Sequence, residues 1–322
     1  MHNLDLVLQK YLKAFSRLKR GGTKYGLAPH KPILLLSIME LFDKGLVTDN
    51  AIPVNADLVG TFKENWLLLV STGHQADFTQ PFYYLQNEKL GGIPYWYLMP
   101  YAGCQINSHI ASVTTLAKVC AYGYFSADLY LILLDPSHRL QLTQCLLSTY
   151  FPHYKASFDL EKTKHTGYYQ EQMLDVLNES EPLYRRIINH TEEDVFVRNG
   201  LFKKFVPKLY NNQCSFTGMK INSTFNYNFI DSCHIVPFSH SHNDKIVNGI
   251  ALCPNMHRAF DRGLLSINSD YSILVSKHIH EDDNHPYSFQ RLAGKELKLP
   301  EKSIHYPDQG ALAWHRDNIF KG

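Results

Sequence analysis

Little in this chain is charged in excess. Its 322 residues carry 32 Lys and Arg against 30 Asp and Glu, a formal net charge of +2 with histidine neutral. That excludes a histone-like basic coat but leaves room for local positive patches. Paired cysteines are also missing. The six stand at 104, 120, 145, 214, 233 and 253, with no CxxC spacing among them. Neither a disulfide scaffold nor a four-cysteine zinc knuckle is encoded, and a reducing, cytoplasmic compartment is expected. No apolar run reaches the ~18 residues that a membrane helix needs. The longest, 32–39 and 66–70, are short and followed by charges, so no membrane partner is expected. The first ten residues include Asp5 and lack a basic start ahead of a long apolar core, which does not read as a signal peptide. Internal repeats and low-complexity tracts are absent as well.

What is present is enough apolar material for packed cores, at 44% hydrophobic residues. The length suggests about two domains. Histidine is the unusual residue: there are 17, and nine of them fall between His234 and His315. Histidine serves as a metal ligand and as a general base near neutral pH, so this skew points to chemistry in the last quarter. Most of the others read as surface residues.

Along the chain, Leu4, Leu8, Tyr11, Leu12, Phe15 and Leu18 share one helical face, while Lys10, Lys13, Arg17, Lys19 and Arg20 occupy the other. Seven positive charges and no acid lie between 10 and 31. Glycines at 21, 22 and 26 break this helix, and a second, buried helix is expected from Pro32. Residues 56–70, 128–134 and 139–150 read as helices. The aromatic-rich stretch 78–100, with Gly91-Gly92 inside it, reads as a hairpin or short sheet. From 161 to 197 eight acids stand against four Lys and Arg, which suggests an acidic connector. Arg198, Lys203, Lys204, Lys208 and Lys220 then follow with no acid before 222. The expected organisation is a recognition domain at 1–160, the connector at 161–197 and a second domain at 198–322.

The chemical constellation lies in 231–265. His234 ends an apolar stretch that reads as a strand running into a loop. Asn248-Gly249 follows fourteen residues later, and His257 nine after that, behind Pro254 at a helix start. Gly263 suits the residue just beyond the end of that helix. His257 and Asp261, four apart, share its face. Leu264–Ile267 and Ser272–Val275 flank a polar turn.

Strand, Asn-bearing loop and His-bearing helix follow the order of the ββα-metal motif. The C-terminal part, residues 198–322, resembles the HNH endonuclease family, especially its branch of predicted restriction enzymes. The resemblance rests on Cys214-Ser-Phe-Thr-Gly218, the His234-Ile-Val-Pro237 strand, Asn248-Gly249, Leu252-Cys253-Pro254, His257, Phe260-Asp261-Arg262-Gly263 and the tail from Ala311 through Trp314 to Phe320. It implies hydrolysis of DNA phosphodiesters with a divalent ion. His234 would deprotonate water, His257 would bind the ion, and Asn248 would hold the base-bearing loop or contact the metal. Many members carry Asp or His immediately before the general base, where this chain has Cys233. Asp231 or Asp261 could supply the missing ligand, and the i,i+4 relation to His257 favours Asp261. Mn²⁺, Ni²⁺ or Zn²⁺ would accept nitrogen ligands more readily than Mg²⁺. Arg262 could steady a phosphate, with Lys204 adding phosphate contact. His240 and His242 read as loop residues and Cys253 as a small core residue.

In the N-terminal half, Gly26-Leu-Ala-Pro-His-Lys-Pro-Ile-Leu-Leu-Leu36 resembles the opening of the sulfur-binding domain of McrA-type modification-dependent restriction enzymes. Pro81-Phe82-Tyr83-Tyr84-Leu85, Gly92 and Trp96 match a second piece, and the resemblance covers residues 20–100. The resemblance implies recognition of phosphorothioate DNA, with DNA contacts at His30 and Lys31 and an apolar cup at Pro81. Gln80 stands where an aromatic is expected and Tyr84 where a small residue is expected, so the cup would be reshaped. Arg17, Lys19 and Arg20 would add sequence-independent affinity for phosphates.

The expected fold is α+β: a mainly helical N-terminal recognition domain with a small sheet, then a C-terminal ββα-metal HNH domain. The expected function is a metal-dependent DNA endonuclease, a type IV-like restriction enzyme acting on modified double-stranded DNA. A homodimer would suit the making of double-strand breaks. The alternative is a non-catalytic reader of modified DNA, or a regulator, whose ββα unit holds a structural metal.

Overall fold

The computed structural model describes residues 2–155, 158, 167–178, 191–221, 224, 228–282 and 285–322. The chain divides into two compact units, Met1–Gln172 with Thr191–Val197, and Met173–His190 with Arg198–Gly322. Of the expected connector, 161–166 and 179–190 lie outside the described residues. The rest of it is largely helical.

In the first unit, α1 (His2–Phe15) buries Leu8, Tyr11 and Phe15 of the apolar stripe expected from spacing, while Leu4 is exposed. The helix ends at Phe15, short of the glycines expected to break it, and a two-stranded ribbon, β1 (Gly22–Thr23) with β2 (Gly26–Leu27), follows. α2 (His30–Asp43) is the buried rod. Its residues from Pro32 to Met39, with Leu41 and Phe42, are all buried, as a helix apolar nearly all round must be. Each Leu or Ile removed from water there contributes about 1.5–3 kcal/mol. The one hydroxyl in that stretch is satisfied: Ser37 Oγ donates to the Ile33 carbonyl at 2.8 Å and accepts from Asn65 Nδ2 at 3.0 Å. α2 packs on α3 (Ala56–Leu69), whose N-terminus is capped by Asn55 accepting from the Leu58 N–H at 2.9 Å.

The aromatic stretch 78–100 departs from the hairpin expected for it. Its first part is helical, α4 (Thr79–Tyr84), extended by a 3₁₀ turn over Leu85–Asn87. Phe78, Phe82 and Leu85 recur at i, i+4 and i+7 and are fully buried, a helical period that outweighs their β propensity. Asp77 fixes the start of the helix by accepting from the Thr79 N–H at 3.0 Å. Hairpin structure begins only afterwards, with β3 (Lys89–Leu90) and β4 (Ile93–Pro94) joined by Gly91-Gly92. β5 (Trp96–Pro100) pairs antiparallel with β6 (Cys120–Phe125), and α5 (Val113–Val119) leads into β6. Trp96 is buried, its indole N–H donating to the Phe82 carbonyl at 2.9 Å. α6 (Ala127–Leu134) and α7 (Pro136–Tyr150) close the bundle against α1. α7 has Pro at its first position and Asp135 as cap. α8 spans Tyr168–Asn178.

α9 (Glu192–Leu209) supplies the second unit with its residues from Arg198 on. The sequence 214–219 folds as a tight turn, the Gly218 N–H donating to the Cys214 carbonyl at 2.9 Å. β7 (Asp231–His234) and β8 (Gly249–Leu252) pair antiparallel, with Cys233 opposite Ile250 and His234 opposite Gly249. Between them lie one helical turn, α10 (Phe238–Ser241), and a 3₁₀ turn over Ile246–Asn248. α11 (Pro254–Asp261) packs on both strands. β9 (Leu265–Ile267) and β10 (Ile273–Val275) form the expected second hairpin, and α12 (Gln309–Asn318) packs on β9.

Gly263 explains the sharp end of α11. Its φ is +72°, and a Cβ there would lie 1.9 Å from the Ile319 carbonyl oxygen. His315 lies in this core rather than on the surface. It is 2% exposed, stacks on Phe260 at 3.7 Å, and meets Ser266 Oγ at 2.9 Å and the Phe260 carbonyl at 3.2 Å. Burial lowers its pKa to about 4. The chain is α+β, helices with short antiparallel strand pairs and a C-terminal ββα unit, as its sequence led one to expect.

Candidate functional site

Two places gather the residues singled out in the sequence, one in each unit. In the second unit, side chains along β7 alternate between faces. Cys233 therefore faces α11 and His234 faces away from it. Cys233, His257 and Asp261 form a cluster in which one ligand atom from each lies within 4.8 Å of the others. His257 Nε2 is 3.4 Å from Asp261 Oδ2, across one turn of α11. The Cys233 thiol lies 3.6 Å from Asp261 Oδ1. On the other side of the ring, His257 Nδ1 is 3.3 Å from Asp231 Oδ2. Asp231 is thus placed to orient the imidazole and lies outside the three-residue cluster.

One nitrogen, one carboxylate and one sulfur within reach of a single point fit a divalent cation with a coordination position left open. Burial and the Asp261 carboxylate push the Cys233 thiol well above its ordinary pKa. A cation at the cluster reverses that balance, because a coordinating thiol loses its proton. Sequence reasoning set Cys233 aside as a departure from the family pattern. Its place immediately before His234, on the α11 side of the strand, was the signal that it joins His257 and Asp261 in the cluster.

His234 is held on two sides. Its ring stacks on Phe202 of α9 at 4.0 Å and 8°. Its Nε2 is 3.1 Å from Oδ1 of Asp244, a carboxylate only 3% exposed. Gly249, its strand partner, leaves the room that Phe202 needs: a Cβ at 249 would lie 2.8 Å from that ring. Asp244 was not singled out in the sequence, although it is the one acid between Asp231 and Asp261.

Asn248 is buried and its side chain hydrogen-bonds to neither histidine among the described residues. Its Oδ1 accepts from the Val236 N–H at 2.9 Å, and its Nδ2 donates to the Val236 and Asn243 carbonyls at 3.1 and 3.0 Å. It closes the loop on which His234 and Asp244 sit. Of the two roles implied for Asn248, this geometry fits the holding of the loop. Cys253 is buried and hydrogen-bonds with Cys214. Lys204 is half-buried on α9, and Arg262 is exposed at the end of α11.

In the first unit a cavity of about 990 Å³ is lined by Lys19, Arg20, His30, Lys31, Gln80, Pro81 and Tyr84. Residues far apart in sequence thus meet in one concave surface. Arg17 lies instead on a neighbouring hollow of about 300 Å³, with Lys10, Lys13 and Lys19. Within the large cavity the cations differ in availability. Lys31 is 12% exposed and ion-paired with Glu88, so its charge is already met. Arg20 lies 4.6 Å from the Tyr150 ring centroid. His30 Nε2 meets the Gln75 carbonyl at 3.0 Å and its ring tilts against Trp66 at 4.6 Å. Burial lowers its pKa, which keeps it neutral, and its Nδ1 is buried without a hydrogen-bond partner.

Pro81 is buried in α4. Gln80 is exposed and donates to Asp77 Oδ2 at 2.9 Å. Tyr84, 41% exposed, tilts against His109 at 5.5 Å. Sequence reasoning missed the far wall: His74, Asp77, Glu192 and Glu193 also line this cavity. The two glutamates are used internally. Glu193 Oε1 accepts from the Phe78 N–H at 2.7 Å, and Glu192 Oε1 accepts from Ser112 Oγ at 2.7 Å.

Among the described residues no helix is long and apolar enough to cross a membrane. No curated protein matches the chain. Among solved structures the chain is similar to a modification-dependent TagI restriction endonuclease, at 22% identity and a TM-score of 0.30. That likeness covers 37% of this chain and 37% of the other, well short of the other's full length. The HNH endonuclease family (HNH_2) matches residues 214–268, the stretch that holds β7, β8 and α11. The second unit therefore carries an HNH endonuclease domain.

Proposed function

We propose that this protein is a metal-dependent DNA endonuclease of restriction type, cutting double-stranded DNA that its first unit selects for a backbone modification, phosphorothioate being the leading candidate. One observation carries the nuclease reading: within one ββα unit, a histidine oriented by a buried carboxylate stands on the strand whose other face presents the Cys233, His257 and Asp261 cluster. The contact of the Asp244 carboxylate with His234 Nε2 favours the tautomer that carries its proton there and leaves Nδ1 to accept a proton from water. Phe202 and Asn248 keep that ring in place. A divalent ion held by Cys233, His257 and Asp261 would supply charge stabilisation to the phosphate and the leaving oxygen. The sulfur donor favours Mn²⁺, Ni²⁺ or Zn²⁺ over Mg²⁺. The products would be 5′-phosphate and 3′-hydroxyl ends. A homodimer would bring two such centres to opposite strands.

For the first unit, the supporting observation is the shared cavity. A sulfur-substituted phosphate is less strongly hydrated than an ordinary one. A partly apolar hollow with Pro81 and Tyr84 beside Lys19 and Arg20 suits it. The test is to incubate the protein with Mg²⁺, Mn²⁺, Ni²⁺ or Zn²⁺ in turn and matched duplexes, one carrying phosphorothioate linkages and one plain. Cutting of the modified duplex alone is expected. Equal cutting of both removes the selectivity, and no cutting of either under any of the four metals removes the enzyme. The buried thiol in the cluster favours one second reading, a ββα unit that holds zinc structurally in a reader of modified DNA. A zinc ion that resists chelation while no DNA is cut would support that reading.

A further inference from the structure

The nuclease helix has a second functional face. Residues 257 and 261 lie on one stripe of α11, and 258 and 262 lie about 100° further round. That second stripe opens into a separate groove of about 760 Å³, lined by Arg258, Arg262, Arg291, Lys295 and Tyr287 over an apolar floor that includes Met256 and Leu292. Among the described residues no carboxylate lines it. The nearby Glu281 is turned to other work, accepting from Ser288 Oγ at 2.9 Å and the Gln290 N–H at 2.8 Å. Arg258, Arg262 and Lys295 are exposed and make no ion pair among the described residues. Tyr287 stands at the groove wall 84% exposed, its ring offered to solvent. A hollow with three exposed cations that make no ion pair, no acid among the described residues and an open aromatic ring is complementary to a polyanion that carries flat rings.

We infer that this groove holds the DNA strand next to the scissile phosphate, with phosphates against Arg258, Arg262 and Lys295 and a base stacked on Tyr287. The inference rests on the nuclease reading and adds the path of the substrate away from the centre. Stacking of a base on an aromatic ring and pairing of phosphates with cations are separable contributions, since the first is insensitive to salt and the second is not. Sharing of α11 by the cluster and the groove explains why the strand would continue there: the same eight-residue helix presents ligands on one face and phosphate contacts on the next.

The experiment measures anisotropy of a fluorescein-labelled duplex with a single-stranded tail, in EDTA, against salt, together with cleavage under Mn²⁺. Arg258→Ala with Lys295→Ala is expected to lower the log–log salt slope by about 2 and to weaken binding about tenfold at low salt. Tyr287→Ala is expected to weaken binding several-fold without changing the slope. All three side chains are exposed, and circular dichroism verifies that the variants fold. A 5-iododeoxyuridine strand is expected to crosslink to Tyr287. Wild-type cutting with unchanged affinity and slope in the variants overturns the groove and leaves the nuclease standing. Displacement of the duplex by free deoxynucleoside monophosphate as effectively as by DNA also overturns it, since the groove would then take a free nucleotide. A wild-type protein that neither binds nor cuts any DNA overturns the nuclease reading itself.

Discussion

The two units encode their sites in opposite ways. The proposed nuclease centre comes mainly from one contiguous stretch of about thirty residues, 231–261, in which strand alternation and one helical turn set the distances within the Cys233, His257 and Asp261 cluster. The cavity of the first unit draws on residues from Lys19 to Glu193, brought together only by packing around α2. The centre depends on local geometry and the cavity on tertiary assembly. Damage to one should therefore be sharp and chemical, whereas damage to the other should be graded and selective.

The largest expected effect breaks the local side. His257→Ala or Asp261→Ala should lower Mn²⁺ affinity by at least about 100-fold in calorimetric titration and abolish cutting, because losing a ligand costs more than losing an orienting partner. Cys233→Asp should retain metal and move the preference toward Mg²⁺. If Cys233→Asp instead leaves the metal ranking unchanged, the thiol is no ligand. Next in size is the backbone at the end of α11. Gly263→Ala must give up a φ of +72° or push against the Ile319 carbonyl, and should cost roughly 2–4 kcal/mol in urea unfolding.

A third effect separates stability from chemistry in the same unit. His315 is held neutral in the core with a pKa of about 4, below the 6.5 it has when exposed. As pH falls through 6.5 toward 4, the unfolded chain takes up a proton that the folded chain refuses, so stability is full above that window and is lost within it. The loss should reach about 3 kcal/mol at most, read from unfolding midpoints at pH 7 and pH 4.5. His315→Gln should flatten the dependence. The smallest effect tests the tertiary side: Tyr84→Ala should change the ratio of phosphorothioate to plain cutting a few-fold while plain binding persists. A loss of all cutting in that variant would show that the cavity is not a separate selective element.

What the sequence revealed follows the same division. β7, α11, the turn at Gly263 and the pairing of His257 with Asp261 were legible because periodicity and capping fix them within a few residues. Asp244 was not, since the loop that carries it has no period, although its isolation among neutral residues marked it. Cys233 was discounted because sulfur was measured against an acidic family pattern rather than against its place on the strand. α4 was hidden by the β propensity of its aromatics. His315 was assigned to the surface because nothing near it in sequence announces Phe260 or Ser266 as partners. Of the eight first-unit residues expected from the sequence to contact DNA, seven line the cavity and Arg17 does not, while Glu88, which neutralises Lys31, and the wall from His74 to Glu193 arise only on folding.

The most direct measurement concerns His234. Wild type and His234→Ala would be compared under single-turnover conditions with Mn²⁺ on a duplex that the wild type cuts, with binding followed in parallel by anisotropy. The account predicts a loss of at least about 1,000-fold in the cutting rate with unchanged DNA affinity. Cutting by His234→Ala at a rate near that of the wild type would contradict it.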